Sequence, residues 1–106
     1  MVDDLKLTIV TLVFDAAPGT AAELLAVLAR YVVLARQEDG CRNIDLVQSV
    51  TRHDRYLVIE KWESPEAQRA HFDADAMMTM ARSCDGLLAG PPEIDLFAGL
   101  SAHDLN

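Results

Sequence analysis

The stretch RNIDLVQSVTRHDRYLVIEKWESPEAQRAHF, residues 42–72, decides how this chain folds. Residues 42–50 and 55–62 are rich in Ile, Leu, Val and Tyr and read as two strands, with Thr51-Arg52-His53-Asp54 as the polar loop of a hairpin. A helix start follows at once. Ser64 suits the N-cap because its hydroxyl accepts from an otherwise unpaired N–H, and Pro65 brings its φ preset for the first turn. The helix is predicted over 65–74. This order leaves Trp62, the single tryptophan, on the seam between strand and helix, nine residues before His71.

Outward toward the N-terminus, LKLTIVTLVF (5–14) reads as a strand and DAAPG (15–19) breaks it. TAAELLAVLARYVVLARQEDG (20–40) reads as a helix. Thr20 and Glu23 have capping-box spacing. Ala21, Leu24, Leu25, Leu28, Tyr31, Val32 and Ala35 form an apolar stripe, and Gly40 sits where a left-handed C-cap is wanted. Outward toward the C-terminus, Asp75 is placed to cap a helix over 76–88 that has Met77, Met80, Ala81, Cys84 and Leu88 on one face. GPP (90–92) ends it, EIDLFAG (93–99) is a last strand, and 101–106 is a tail.

Strand–helix–strand thus occurs twice. The order βαββαβ predicts an α+β, ferredoxin-like domain over residues 1–100: a four-stranded antiparallel sheet with helices on one face. The strands, however, are apolar on both faces. Leu5, Leu7, Ile9 and Val13 oppose Val10, Leu12 and Phe14; Tyr56 and Val58 oppose Leu57 and Ile59; Ile94 and Leu96 oppose Phe97. Helices on one side leave the other side bare, and a second copy is the simplest cover, so a sheet-to-sheet homodimer is expected.

Composition narrows the partners. The 106 residues are 51% hydrophobic and 25% charged, enough for one domain with a real core. A net charge of −8 with scattered arginines argues against nucleic acid and against anionic membrane surfaces. No apolar run approaches a membrane span, and the acidic Met-Val-Asp-Asp start is unlike a signal peptide, so a cytoplasmic protein is expected. Cys41 and Cys84 lack metal-binding spacing, and there is neither a phosphate-binding glycine loop nor a nucleophile elbow. No cofactor or metal is expected.

The candidates for chemistry are polar residues on apolar faces. Thr11 shares a face with Ile9 and Val13, Gln48 with Ile44 and Leu46, and Glu60 with Val58 and Trp62. Each needs a hydrogen-bond partner, either another side chain or a ligand. His71 falls on the Ala67, Ala70, His71, Ala74 stripe and reads either as a satisfied core residue or as a general base. Trp62 reads as core packing or as a flat wall for an aromatic substrate, and Arg82 as a solvated residue or as a cation for an oxyanion.

EDGCRNIDLVQSV, VIEKWESPEAQRAHF and LLAGPPEIDLF resemble the antibiotic biosynthesis monooxygenase (ABM) domain, across nearly the whole chain. The resemblance implies a dimeric ferredoxin-like α/β barrel and activities such as cofactor-free oxygenation of quinols and anthrones. Trp62 and Arg82 match two residues of the anthrone-oxidising set, whereas Val58 and Gln68 stand where those relatives carry asparagine and tyrosine. His71 matches quinol-oxidising and autoinducer-processing members, but a second histidine common among them is Ala76 here. The haem-degrading set is not matched: its tryptophan and histidine fall at His71 and Ala81.

The resemblance therefore implies a monooxygenase of a small aromatic, quinol-like substrate. His71 would take or share a proton, Trp62 hold the ring and Arg82 stabilise the oxyanion, with Thr11, Gln48, Val58, Glu60 and Gln68 lining the site. Two other readings stay open. One is an isomerase or processing enzyme of a small oxygenated metabolite. The other is a non-catalytic dimeric binding domain whose pocket is filled by side chains.

Overall fold

The computed structural model describes residues 7–102; Leu5, at the expected start of the first strand, and His103, in the tail, lie outside the described residues. The elements are β1 (Thr8–Asp15), α1 (Ala21–Ala35), β2 (Cys41–Gln48), β3 (Arg55–Trp62), α2 (Pro65–Phe72), α3 (Asp75–Ser83) and β4 (Glu93–Ala98). The strands form one antiparallel sheet in the order β2-β3-β1-β4, with α1, α2 and α3 on one face. This is the ferredoxin-like topology that the strand and helix order implied. Among the described residues no helix is long and apolar enough to cross a membrane.

Alternation within the strands sorts the side chains. Val10, Leu12 and Phe14 of β1 join Tyr56, Val58, Glu60 and Trp62 of β3 and Ile44 of β2 under the helices, all buried. From above they meet Leu24, Leu28, Tyr31, Val32 and Ala35 of α1 and Met77 and Met80 of α3. The opposite face carries Ile9, Thr11, Val13, Leu57 and Ile59, each only half-buried, with Val47 and Phe97 exposed at 44% and 48%.

Helix ends show where local signals held and where tertiary contacts won. Ser64 caps α2 as expected, its Oγ accepting from the Ala67 N–H at 3.0 Å. Thr20 does not cap α1. Its hydroxyl points instead to the carbonyls of Ala17 and Leu87, 2.8 Å from each, so the capping box does not form. Ala74, not Asp75, holds the N-cap position of α3, and Asp75 lies in the first turn. That helix stops at Ser83 rather than near 88 because the next residues serve β1. Leu88 bridges Ala16, and the Ala89 N–H donates to the Asp15 carbonyl.

α1 likewise ends at Ala35, short of Gly40. The Gln37 and Glu38 N–H groups turn back to the Leu34 and Ala35 carbonyls, tightening the helix end. Gly40 does adopt the left-handed region, at φ +82°, but as the last residue before β2. Its carbonyl accepts from the Glu63 N–H at 2.8 Å, joining this turn to the seam after Trp62. A register shift between Cys41 and Asn43 then places Cys41 opposite Trp62.

Two predictions follow from this framework. A Cβ on Gly40 would stand 2.5 Å from the Ala67 Cβ as well as straining φ. Gly40→Ala should therefore lower stability by ~1–3 kcal/mol in urea unfolding, and adding Ala67→Gly should restore only part of the loss. At the strand ends, Arg55 Nε donates to Asp15 Oδ1 at 2.7 Å and its Nη2 to Oδ2 at 2.9 Å. The Arg55 hydrogen bond, helped by the charges of Arg55 and Arg52 and opposed by desolvation, holds the Asp15 carboxyl below its usual range. A depressed folded value means that this stabilisation is present above the unfolded value and is lost as pH falls through the folded one. Between about pH 5 and about pH 3 the urea midpoint of Asp15→Asn should fall less than that of the wild type.

Candidate functional site

The inward-facing parity of β3 puts Glu60 and Trp62 on the helix side of the sheet, at 1% and 0% exposure. A buried carboxylate loses its hydration and must be compensated by hydrogen bonds. Glu60 finds two donors. The Trp62 Nε1–H donates to its Oε1 at 2.9 Å, and the Tyr31 hydroxyl, from the apolar stripe of α1, donates to its Oε2. Both partners are neutral, so Glu60 is solvated by dipoles and lies 3.6 Å, through Oε1, from the Nε2 atom of His71.

His71 completes the cluster. Capping by Ser64 fixes the phase of α2 so that His71, at 2% exposure, turns down onto the sheet. Its ring stacks on Trp62 with centroids 4.4 Å apart and planes 24° from parallel. Both ring nitrogens are engaged: Nε2 lies 2.6 Å from the Tyr31 hydroxyl oxygen and Nδ1 lies 2.8 Å from Glu38 Oε1. Glu38 belongs to the turn that follows α1 and is the partly solvent-exposed member of the set, at 23%. Burial, then the negative charge and hydrogen bond of Glu60, push the Tyr31 phenol far above its ordinary value, so Tyr31 stays protonated. Cys41 borders the cluster; burial first, then the charges of Glu60 and Glu38, push its thiol up to about 11.

The structure thus brings together Trp62, His71 and Glu60. It sets the other expected site residues elsewhere. Val58 is fully buried in the core beneath the helices. Thr11 lies on the opposite sheet face, in register with Ile59 and Asp95. Gln48 is exposed at the hairpin end of β2, where its Nε2 donates to the His53 carbonyl at 2.6 Å. Gln68 is half-buried on α2, and Arg82 is exposed in the last turn of α3.

Open space lies beside this cluster rather than within it. An apolar cavity of about 340 Å³ separates α3 from the β1–β4 side of the sheet. Leu12, Phe14, Met77, Met80, Cys84 and Ile94 are among its walls, and no charged side chain lines it. Burial pushes the Cys84 thiol up, so this wall also stays neutral. A smaller cleft of about 50 Å³ opens between α1 and α3 beside Tyr31, and Met80 borders both spaces. Among the described residues no three His, Cys, Asp or Glu side chains are arranged to hold a metal ion.

Tyr31 and Glu38 are the members that sequence reasoning missed. Tyr31 falls in the apolar stripe of the first helix and reads as core, and Glu38 falls at the end of the same expected helix. Nothing local couples either to positions 60 and 71. Glu60→Ala would leave the Tyr31 hydroxyl and the Trp62 N–H without acceptors and open a void. The expected loss of about 3–5 kcal/mol is read from urea unfolding.

Comparison with known proteins shows the family. The Antibiotic biosynthesis monooxygenase family profile matches residues 8–83, spanning β1 to the end of α3. The fold matches the structure of Rv0793 from Mycobacterium tuberculosis with a TM-score of 0.86 at 24% identity, over 93% of this chain and 100% of that one. It matches PA3566 from Pseudomonas aeruginosa with a TM-score of 0.82 at 27% identity, over 91% and 96%. NE2512 from Nitrosomonas europaea matches at 0.85 with 21% identity, over 97% of each chain. A search of curated proteins finds no match. The chain belongs to the antibiotic biosynthesis monooxygenase family.

Proposed function

We propose that this protein is a cofactor-independent monooxygenase acting on a small, largely apolar quinol-like aromatic, and that it works as a homodimer. Family membership supports an oxidoreductase role in general. The observation that carries the finer reading is the cavity of about 340 Å³ with uncharged walls, lying one side chain, Met80, away from the cleft beside Tyr31 of the proton-bearing cluster. Oxygenation without a cofactor begins with loss of a substrate proton. An electron then passes from the anion to O₂, and the two radicals combine. An apolar, shaped cavity favours each step by orienting the ring and limiting its contact with water.

The roles adjust to the geometry. His71 shares the substrate proton through Tyr31 rather than by touching the ring, because both its nitrogens are engaged. Trp62 holds His71 by stacking and Glu60 by its N–H. Arg82 follows cavity-lining Ala81 in the chain and serves as the cation nearest that rim in sequence. Thr11, with Ile9, Val13, Leu57 and Ile59, belongs to the face that a second copy covers.

A second reading has its own support. The 4.4 Å stack leaves no space between Trp62 and His71, as expected of a binding domain whose central pocket is filled by side chains. Oxygen uptake with a panel of naphthohydroquinones separates the two. Uptake above autoxidation is expected from the wild type. Ala81→Trp, which fills the cavity from an exposed helix position, should lower it roughly tenfold or more with an unchanged urea midpoint. Saturable binding of the quinols without uptake favours the binding domain. Light scattering should give twice the chain mass at micromolar concentration; a single-chain mass removes the dimer.

A further inference from the structure

Three contacts join four side chains in one line: Glu38 Oε1 to His71 Nδ1, His71 Nε2 to the Tyr31 hydroxyl, and that hydroxyl to Glu60 Oε2. Each contact needs one bridging proton, so the filled line holds three. With both carboxylates ionised, His71 carries two ring protons and the phenol proton points at Glu60. Moving the Tyr31 and Nε2 protons one step inward makes Glu60 the acid and His71 neutral. Moving the Nδ1 proton one step outward makes Glu38 the acid. All three arrangements bridge every contact with the same heavy-atom positions and the same total charge. A static polar core has no need of such degeneracy, and burying these groups carries a desolvation cost.

The ends of the line differ. The Trp62 N–H is a donor only and fixes Glu60 Oε1, so proton exchange at Glu60 runs through Oε2. Glu38 meets solvent. Tyr31 borders the cleft of about 50 Å³, where Arg30, Thr79 and Ser83 are also placed, a space suited to about one or two waters or to a hydroxyl group. Met80 separates that cleft from the apolar cavity and, as an unbranched side chain, is the adaptable part of the wall. The Cys41 thiol beside the line remains protonated and is a bystander.

We propose that Tyr31, His71 and Glu38 form a proton exit, with Glu60 as its inner carboxylate, carrying a proton from a hydroxyl that reaches Tyr31 past Met80 out to bulk water. In one passage the donor O–H bond breaks and a new O–H bond forms on Tyr31. Starting from the arrangement in which Glu60 is the acid and His71 is neutral, the former Tyr31 proton moves to His71 Nε2, and the Nδ1 proton moves to Glu38 and then to water, while Glu60 keeps its own. No electrons are transferred in this step. The donor's identity as a quinol rests on the proposed function; the proton line itself does not.

The test reads the line from end to end without substrate. Carboxyl ¹³C and ring ¹⁵N signals of Glu60 and His71 are recorded near neutral pH for wild type, Glu38→Gln, Tyr31→Phe and the double variant, with circular dichroism to confirm folding. Glu38→Gln should displace the Glu60 carboxyl and His71 Nε2 signals, and the Glu60 response should vanish when Tyr31 is Phe. A response that persists in the Phe background is through-space charge alone, and no response means a fixed cluster; either overturns the exit. If Glu38→Gln does not fold, Glu38→Asp, which withdraws the carboxylate by one methylene, is read in the same way. In oxygen uptake with a naphthohydroquinone, Glu38→Gln should slow roughly tenfold in dilute buffer and recover with added imidazole buffer, while the wild type is insensitive. Unchanged uptake by Glu38→Gln overturns the exit. A wild type without uptake removes the proposed function and leaves the spectroscopic arm to decide the line.

Discussion

The carboxylate of Glu60, buried at 1% exposure on the central strand β3, is the constraint around which the helix side of the sheet is arranged. A polar group in that position is tolerable only when it is met by hydrogen-bond partners. Trp62 supplies one and Tyr31 the other. That requirement fixes the indole plane at the end of β3 and the rotation of α1 above it. The indole plane then offers a face for His71 to stack on, and His71 in turn draws Glu38 across from the turn after α1. One buried carboxyl group thereby ties together two strand positions, two helices and a turn that are far apart in the chain.

The same arrangement divides the helix side into two regions of different chemistry. Over β3, polar groups are close-packed and engaged with one another, leaving little room for a ligand between them. Over β1 and β4, α3 lies across a cavity with methionine, cysteine and aliphatic walls. Neither helix pair nor sheet fills this second region, since β4 is an edge strand whose Ile94 and Leu96 remain 43% and 54% exposed. The polar cluster and the apolar cavity thus lie side by side on the helix face of the sheet. Met80 borders both this cavity and the smaller cleft beside Tyr31.

Much of the fold was legible in the chain because it depends on local patterns. The hairpin of β2 and β3, the Ser64-Pro65 start of α2 and the two-sided strands follow from period, capping and composition. The capping box that α1 lacks and the early end of α3 have a common cause. Thr20 and the residues after Ser83 spend their hydrogen bonds on each other and on the end of β1, contacts between segments more than sixty residues apart that no local rule reports.

The site divides along the same line. Sequence alone determined that Glu60 and Trp62 share a strand face and that His71 lies on the sheet side of its helix, because alternation and helical period are properties of neighbours in the chain. Only the tertiary structure decided that Tyr31 and Glu38 join them, that His71 is bonded at both nitrogens, and that Thr11 and Gln48 stand apart. The reason is physical: which donor satisfies a buried acceptor depends on how the helices dock over the sheet. That docking is settled by the packing of the whole core rather than by any stretch of sequence within it.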